Sequence, residues 1–194
     1  MKKSHVLTLV GASTVLAAFE SRAQCTNCAS PFYIDAGLGL AIQQDAEIQN
    51  SPFGNSGDVQ FDPGLRADIH LGYKLNHSFS VELETGVIWN TVNNFRTPGG
   101  DNKASTQGYN ADLYELPLLA NFVYRPLHGA FQPFIGIGGG GAATMFDAAN
   151  IPLFANHFSV TDWTFAYQAE VGFSYAVSRS VKLGLAYELS LIHI

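Results

Sequence analysis

The chain has 194 residues, of which 47% are hydrophobic and 13% charged, and it carries a net charge of −6 at neutral pH. The charged share is about half of the roughly 25% found in soluble domains, yet no run of about 18 apolar residues exists, which excludes a membrane-spanning helix. No basic stripe is present to displace counterions, which excludes a nucleic-acid partner, and the length fits one domain.

Residues 1–23 read as a signal peptide. Lys2 and Lys3 supply the positive start, Val6 to Phe19 a mostly apolar stretch, and Ser21-Arg22-Ala23 the small residues before a cut ahead of Gln24. Residues 24–31 form an N-terminal tail containing Cys25 and Cys28. Arg22-Ala23-Gln24 does not suit a lipid anchor, and the βαβ context of a redox pair is missing. In an oxidising compartment the two thiols are expected to close a local disulfide.

From Phe32 onward the pattern is alternation. Phe32, Ile34, Ala36, Leu38, Leu40 and Ile42 oppose Tyr33, Asp35, Gly37, Gly39, Ala41 and Gln43, giving the first strand. Asp45 to Asp62 reads as a long polar loop. Gly64 to Asn90 then holds two alternating arms of about ten residues, the span of a tilted strand crossing a bilayer. They are joined by what reads as a two-residue hairpin turn at Asn76-His77. Ile88 alone breaks the second arm's alternation. Thr91 to Tyr109 reads as a second long loop. The fourth strand, Tyr114 to Arg125, is blurred by Leu119 and Val123 and carries Pro117, which removes a ladder donor, a conflict that a bulge would relieve. A short turn leads to a fifth strand over Phe131 to Ala142, and Asp147 to Asp162 is the third long loop. Phe165 to Tyr175 and Val181 to Glu188 are strands six and seven, with Ser178-Arg179-Ser180 between them.

Connections are therefore long after strands one, three and five and short after two, four and six. An outer-membrane barrel with short periplasmic turns and long outer loops has that asymmetry, with the N-terminus periplasmic. Apolar faces point to lipid on two grounds. Gly72, Gly86, Gly136, Gly138, Gly172 and Gly184 all fall on the polar face, where a narrow bore would need them. Aromatic residues collect near both ends of the apolar faces, as at two membrane interfaces. The bore would then hold Asp35, Arg66, Asp68, His70, Lys74, Glu82, Glu84, Glu115, Arg125, Glu170, Lys182 and Glu188, with ion pairs closing a bore that eight strands leave narrow.

Tyr114–Phe122 (YELPLLANF), Gln132–Ala142 (QPFIGIGGGGA) and Phe165–Ser178 (FAYQAEVGFSYAVS) resemble the strand motifs of small outer-membrane β-barrel proteins, the opacity-protein, OmpA-barrel and OmpX-like families. The resemblance covers about Phe32 to Glu188. It implies an all-β, antiparallel up-and-down transmembrane barrel of eight strands, of which residues 32–188 supply seven. It also implies roles in adhesion, envelope integrity or host interaction, and it makes Pro117 ordinary. Residues 189–194 (LSLIHI) resemble the translation of a sequencing adapter, so the last strand is expected to be missing and an edge of strand one or seven left unpaired.

Gly136 to Gly141 matches a dinucleotide-binding pattern only in form, since no helix follows it. Asn76-His77-Ser78 is a glycosylation sequon by pattern alone. His70, His77, His128 and His157 show no metal-ligand spacing. His70 could pair with Glu82 or Glu84, but no serine nucleophile is positioned beside it. No catalytic residue, cofactor or metal is expected. The expected partners are outer-membrane lipids, the barrel-assembly machinery during insertion and an extracellular or host ligand at the loops. A narrow solute pore is the alternative, and a lipid A-modifying enzyme a third reading, weakened because the polar groups point inward.

Overall fold

A computed structural model describes residues 7–19, 31–48, 57–97, 100–103, 110–149, 157–178 and 181–193. Eleven strands are present among them: β1 (Leu7–Phe19), β2 (Phe32–Gln43), β3 (Ala46–Ile48), β4 (Gly57–Phe61), β5 (Gly64–Lys74), β6 (Phe79–Thr97), β7 (Gly100–Lys103), β8 (Asn110–Tyr124), β9 (Phe131–Ala149), β10 (His157–Ala176) and β11 (Val181–His193). Eight of them close an antiparallel ring in the order β1, β2, β5, β6, β8, β9, β10, β11 and back to β1.

The eighth place is filled from an end of the chain that the sequence reading did not expect. Leu7–Phe19, read above as the heart of a leader, pairs with Val181–His193 on one side and Ile34–Gln43 on the other. The wall therefore has eight strands where seven were expected, and neither the first nor the seventh strand of the sequence reading is left with a bare edge. Unpaired backbone in hydrocarbon costs several kcal/mol per group, by rough transfer estimates, so two facing edges select any apolar segment long enough to bridge them. Residues 189–193 lie within β11 and pair with β1 and β10.

The hairpin turn also differs. Lys74 sits opposite Ser80, so Leu75 faces Phe79 across a three-residue loop, Asn76 to Ser78. A two-residue turn would have set Leu75 against Ser78 and mixed the apolar face of one arm with the polar face of the other. The Asn76 side-chain oxygen fixes the longer loop by accepting from the Ser78 N–H (2.8 Å) and the Phe79 N–H (2.9 Å).

Pro117 is accommodated without a bulge. Thr85 lies opposite Leu118 and Ile88 opposite Glu115, the same register on both sides of the proline, and the ladder to β6 omits only the two rungs between. The other flank stays paired, with Pro117 opposite Ala142.

Beyond the lipid-facing band the strands run further than the sequence suggested. Parts of all three expected loops are paired: β3 with β4, β4 and β7 with the far end of β6, and Asp147–Ala149 with His157–Ser159. Polar ladders in water need no apolar alternation, so their sequence reads as loop.

Apolar side chains face outward, as at Leu38 (69% exposed), and the charged ones face in. Aromatic contacts gather at two levels. Phe79 stacks with Phe122 and Tyr124, and Phe131 meets Phe173, near the short turns; Trp89 stacks on Tyr114 toward the long-loop end. Among the described residues no helix is long and apolar enough to cross a membrane, and the crossing is made by strands.

Candidate functional site

The lumen concentrates the chemistry of this chain. Alternation turns Arg66, Asp68 and His70 inward from β5 and Glu82 and Glu84 inward from β6, which is the neighbouring strand in the ring. Across the bore, β11 contributes Glu188 and β10 contributes Glu170. All seven side chains are buried.

Arg66 is the hub. Its Nε donates to Asp68 Oδ2 at 2.9 Å and its Nη2 to Glu84 Oε1 at 2.5 Å, and the same Nη2 meets Glu188 from the far wall. The second oxygen of Glu84 accepts from Asn121 (2.5 Å) and Gln168 (2.7 Å), and Ser190 donates to Gln168 at 3.0 Å. One guanidinium and three amide or hydroxyl groups thus tie five strands together across the barrel.

A second cluster lies nearer the short turns. Arg125 donates to Glu82 at 2.9 Å and to Ser80 at 2.6 Å, and the Tyr33 hydroxyl donates to Glu82. His70 joins the two clusters, with Nδ1 3.2 Å from Glu82 Oε2 and Nε2 3.1 Å from Asp68 Oδ1. A doubly protonated ring satisfies both carboxylates, while a neutral ring satisfies only one. With both nitrogens engaged, His70 offers neither to a substrate as a base.

Glycines make room for this packing. Tyr33 lies flat on the backbone of its cross-strand partner Gly72, where an added Cβ would enter the ring. Glu170 lies over Gly136 in the same way. Gly136 and Gly138 of the dinucleotide-like stretch are thus the bed on which Glu170 and Asn121 rest.

Below the second cluster a cavity of about 600 Å³ opens at the short-turn end. Lys74, Lys182, Asp35 and Glu170 line it, and the last two each keep an oxygen with no hydrogen-bond donor among the described residues. Lys182 donates to Gln132 at 2.9 Å. The lining reaches His70 and Glu82 but not Arg66, Glu84 or Glu188. Toward the other end, Glu115 lies fully buried beside Gln43. Val59, Val92 and Ala111 pack with Phe61 and Phe146 above it as an apolar cap.

Of the twelve ionic positions expected in the bore, seven join one network: Arg66, Asp68, His70, Glu82, Glu84, Arg125 and Glu188. Asp35, Glu170, Lys74 and Lys182 line the cavity, and Glu115 stands apart. Sequence reasoning missed the neutral members Tyr33, Asn121 and Gln168, although each shares a strand face with a charged residue that was chosen. It also missed that Leu119, Val123 and Ile88, the exceptions to the alternation, are buried in the interior. Cys25 and Cys28 lie outside the described residues.

Spacing gave no hint of a metal site, but folding brings donor atoms of Asp68, His70 and Glu188 within 4.8 Å of one another, all buried.

Residues 8–194 match the family described as outer membrane protein beta-barrel domain. No curated relative matches the chain in sequence. Among solved structures, the chain is similar to the outer membrane protease OmpT from Escherichia coli (8% identity, 97% of this chain and 94% of that one, TM-score 0.40). It is also similar to the outer membrane protein OprG from Pseudomonas aeruginosa (14%, 97% and 92%, 0.34). A third is Ail, the attachment invasion locus protein of Yersinia pestis, in complex with the heparin analogue sucrose octasulfate (8%, 97% and 99%, 0.33). All three are too distant to transfer a role.

Proposed function

The chain belongs to the outer membrane protein β-barrel family and so sits in the bacterial outer membrane. From that premise we propose that it is a non-catalytic, closed-lumen barrel acting at the cell surface through the segments at its long-loop end. The supporting observation is the layered filling of the bore. The cavity from the short-turn end stops at His70 and Glu82. Outside its lining lie the Arg66 cluster, Leu119 packed with Ala142 and Ala166 beside that cluster, and the apolar cap. A solute following the axis would have to break buried ion pairs and part an apolar plug.

In this reading the short turns face the periplasm; Leu7, opposite His193, then lies at the long-loop end, whereas a chain cut ahead of Gln24 would start at the periplasmic end. The long-loop end, stiffened by β3, β4, β7 and the extended β9–β10 pair, meets the outside. Positioned polar groups sustain that stiffness: Asn93 donates to Asp62 at 2.8 Å and Asn94 to Gln60 at 3.0 Å. Loops on a rigid scaffold are where binding chemistry varies.

Two measurements test this. Planar bilayers containing the purified protein should show no steady conductance, and a large sustained current would replace this reading with that of a pore. On cells, replacing residues 147–159 with a short Gly-Ser turn should abolish attachment to surfaces while leaving the amount of folded barrel unchanged. Unchanged attachment would reject the surface role.

A further inference from the structure

The Arg66 and His70 clusters leave an imbalance. Asp68, Glu82, Glu84, Glu170 and Glu188 converge on a stretch of bore where Arg66 and Arg125 make ion pairs among the described residues, with Lys74 and Lys182 on the wall of the cavity beside it. Glu170 and Glu188 are direct cross-strand partners on the interior face. Two like charges placed so repel each other, and burial strengthens the repulsion. Glu170 keeps an oxygen without a donor, and so does Glu188 Oε1.

Three features turn this imbalance into a site. Donor atoms of Asp68, His70 and Glu188 come within 4.8 Å of one another. Arg66 contacts Asp68 Oδ2 and Glu188 Oε2, which leaves Asp68 Oδ1 to His70 and Glu188 Oε1 without a donor among the described residues. Finally, His70 Nδ1 faces Glu82, which Arg125 and Tyr33 hold from behind. A carboxylate that takes one ring N–H of a histidine fixes the tautomer and aims the other nitrogen's lone pair, the usual outer support of a metal-bound imidazole. Here that nitrogen is Nε2, 3.1 Å from Asp68 Oδ1, and an ion bound between the two would displace the proton they share.

We propose that the lumen binds one divalent transition-metal ion of the Mn²⁺ to Zn²⁺ series between Asp68, His70 and Glu188, with Glu170 as the adjacent third carboxylate. One imidazole with carboxylates suits such ions better than Mg²⁺ or Ca²⁺, which take oxygen alone. Bonds of about 2.0–2.2 Å require the three donors to draw together slightly. The cavity at the short-turn end supplies the way in, since His70 and Glu170 both line it. This site is independent of the surface role above: a barrel that conducts or does not attach can still hold the ion.

The test uses the full chain, refolded in detergent, stripped with chelator and titrated with Zn²⁺ in a calorimeter, with Mg²⁺ as the control. One Zn²⁺ per chain is expected, lost by at least tenfold in affinity in His70→Gln and in Glu188→Gln. His128→Ala should leave it unchanged, because His128 is exposed on a turn beside His77. Binding that disappears with His128→Ala, or survives both lumen substitutions, marks an adventitious ion only and overturns the proposal. If neither lumen variant folds, the visible spectrum of Co²⁺ in the unaltered protein decides. Four- or five-coordinate bands support the site, and an aqua-like six-coordinate spectrum or no uptake refutes it.

Discussion

Replacing Arg66 by methionine, which keeps most of the side-chain volume and removes the charge, strikes the group on which the plug depends. Three carboxylates contact the guanidinium, and every partner's side chain is at most 1% exposed. Their fates differ. Glu84 keeps two donors in Asn121 and Gln168, and Asp68 keeps His70, whereas Glu188 has no other partner among the described residues. The loss is therefore not three times that of a single pair. Breaking one buried pair costs about 3–5 kcal/mol, and the variant should lose about that much at pH 7. The loss should shrink as the pH is lowered, because a protonated Glu188 needs no cation. Trp89 and Trp163, both on the outer face, report unfolding by urea in lipid vesicles through their fluorescence. Chelator should be present throughout, and Arg66→Met combined with Glu188→Gln should recover part of the loss. A cost below about 1 kcal/mol, as for an exposed pair, would show that the bore is hydrated and would refute the closed-lumen argument.

Gly72→Val places a branched side chain inside the Tyr33 ring and should cost about 1–3 kcal/mol by overpacking, measured by the same urea titration; Tyr33→Ala in that background should give part of it back. Leu38→Arg, at the middle of a lipid-facing row, should cost about 2–4 kcal/mol, whereas Leu38→Phe should be near neutral. Single cysteines at Asp68, Ile69 and His70, labelled and exposed to quenchers carried on lipid tails, should be quenched only at position 69. Cleavage ahead of Gln24 would remove β1 and leave ten register positions of β2 and thirteen of β11 unpaired. A chain beginning at Gln24 should thus unfold at lower urea than the full chain, and mass measurement of the exported protein will show which form the membrane holds.

Much of the wall was legible because a barrel in lipid writes its own pattern. Each crossing strand must show hydrocarbon to the outside and something smaller or polar to the inside, so alternation in Phe32–Gln43 or Phe165–Tyr175 maps directly onto faces. Parity then assigned the ionic groups of the bore residue by residue. The exceptions carried information too: Ile88, Leu119 and Val123 break the alternation because they pack inside the bore. Where strands leave the lipid, as at Asp147–Ala149, that pressure ends and the pattern fades.

Composition and alternation by themselves determined a barrel wall, its lipid-facing side and the cast of charges within. Only the closed structure decided which strand sits beside which across the ring. That choice puts Glu188 against Arg66 and Glu170 opposite Glu188, sets the three-residue loop at Asn76, and brings Leu7–Phe19 between β2 and β11. These outcomes depend on register and closure, which relate residues far apart in the chain. Alternation repeats every two residues and says nothing about which rungs will meet.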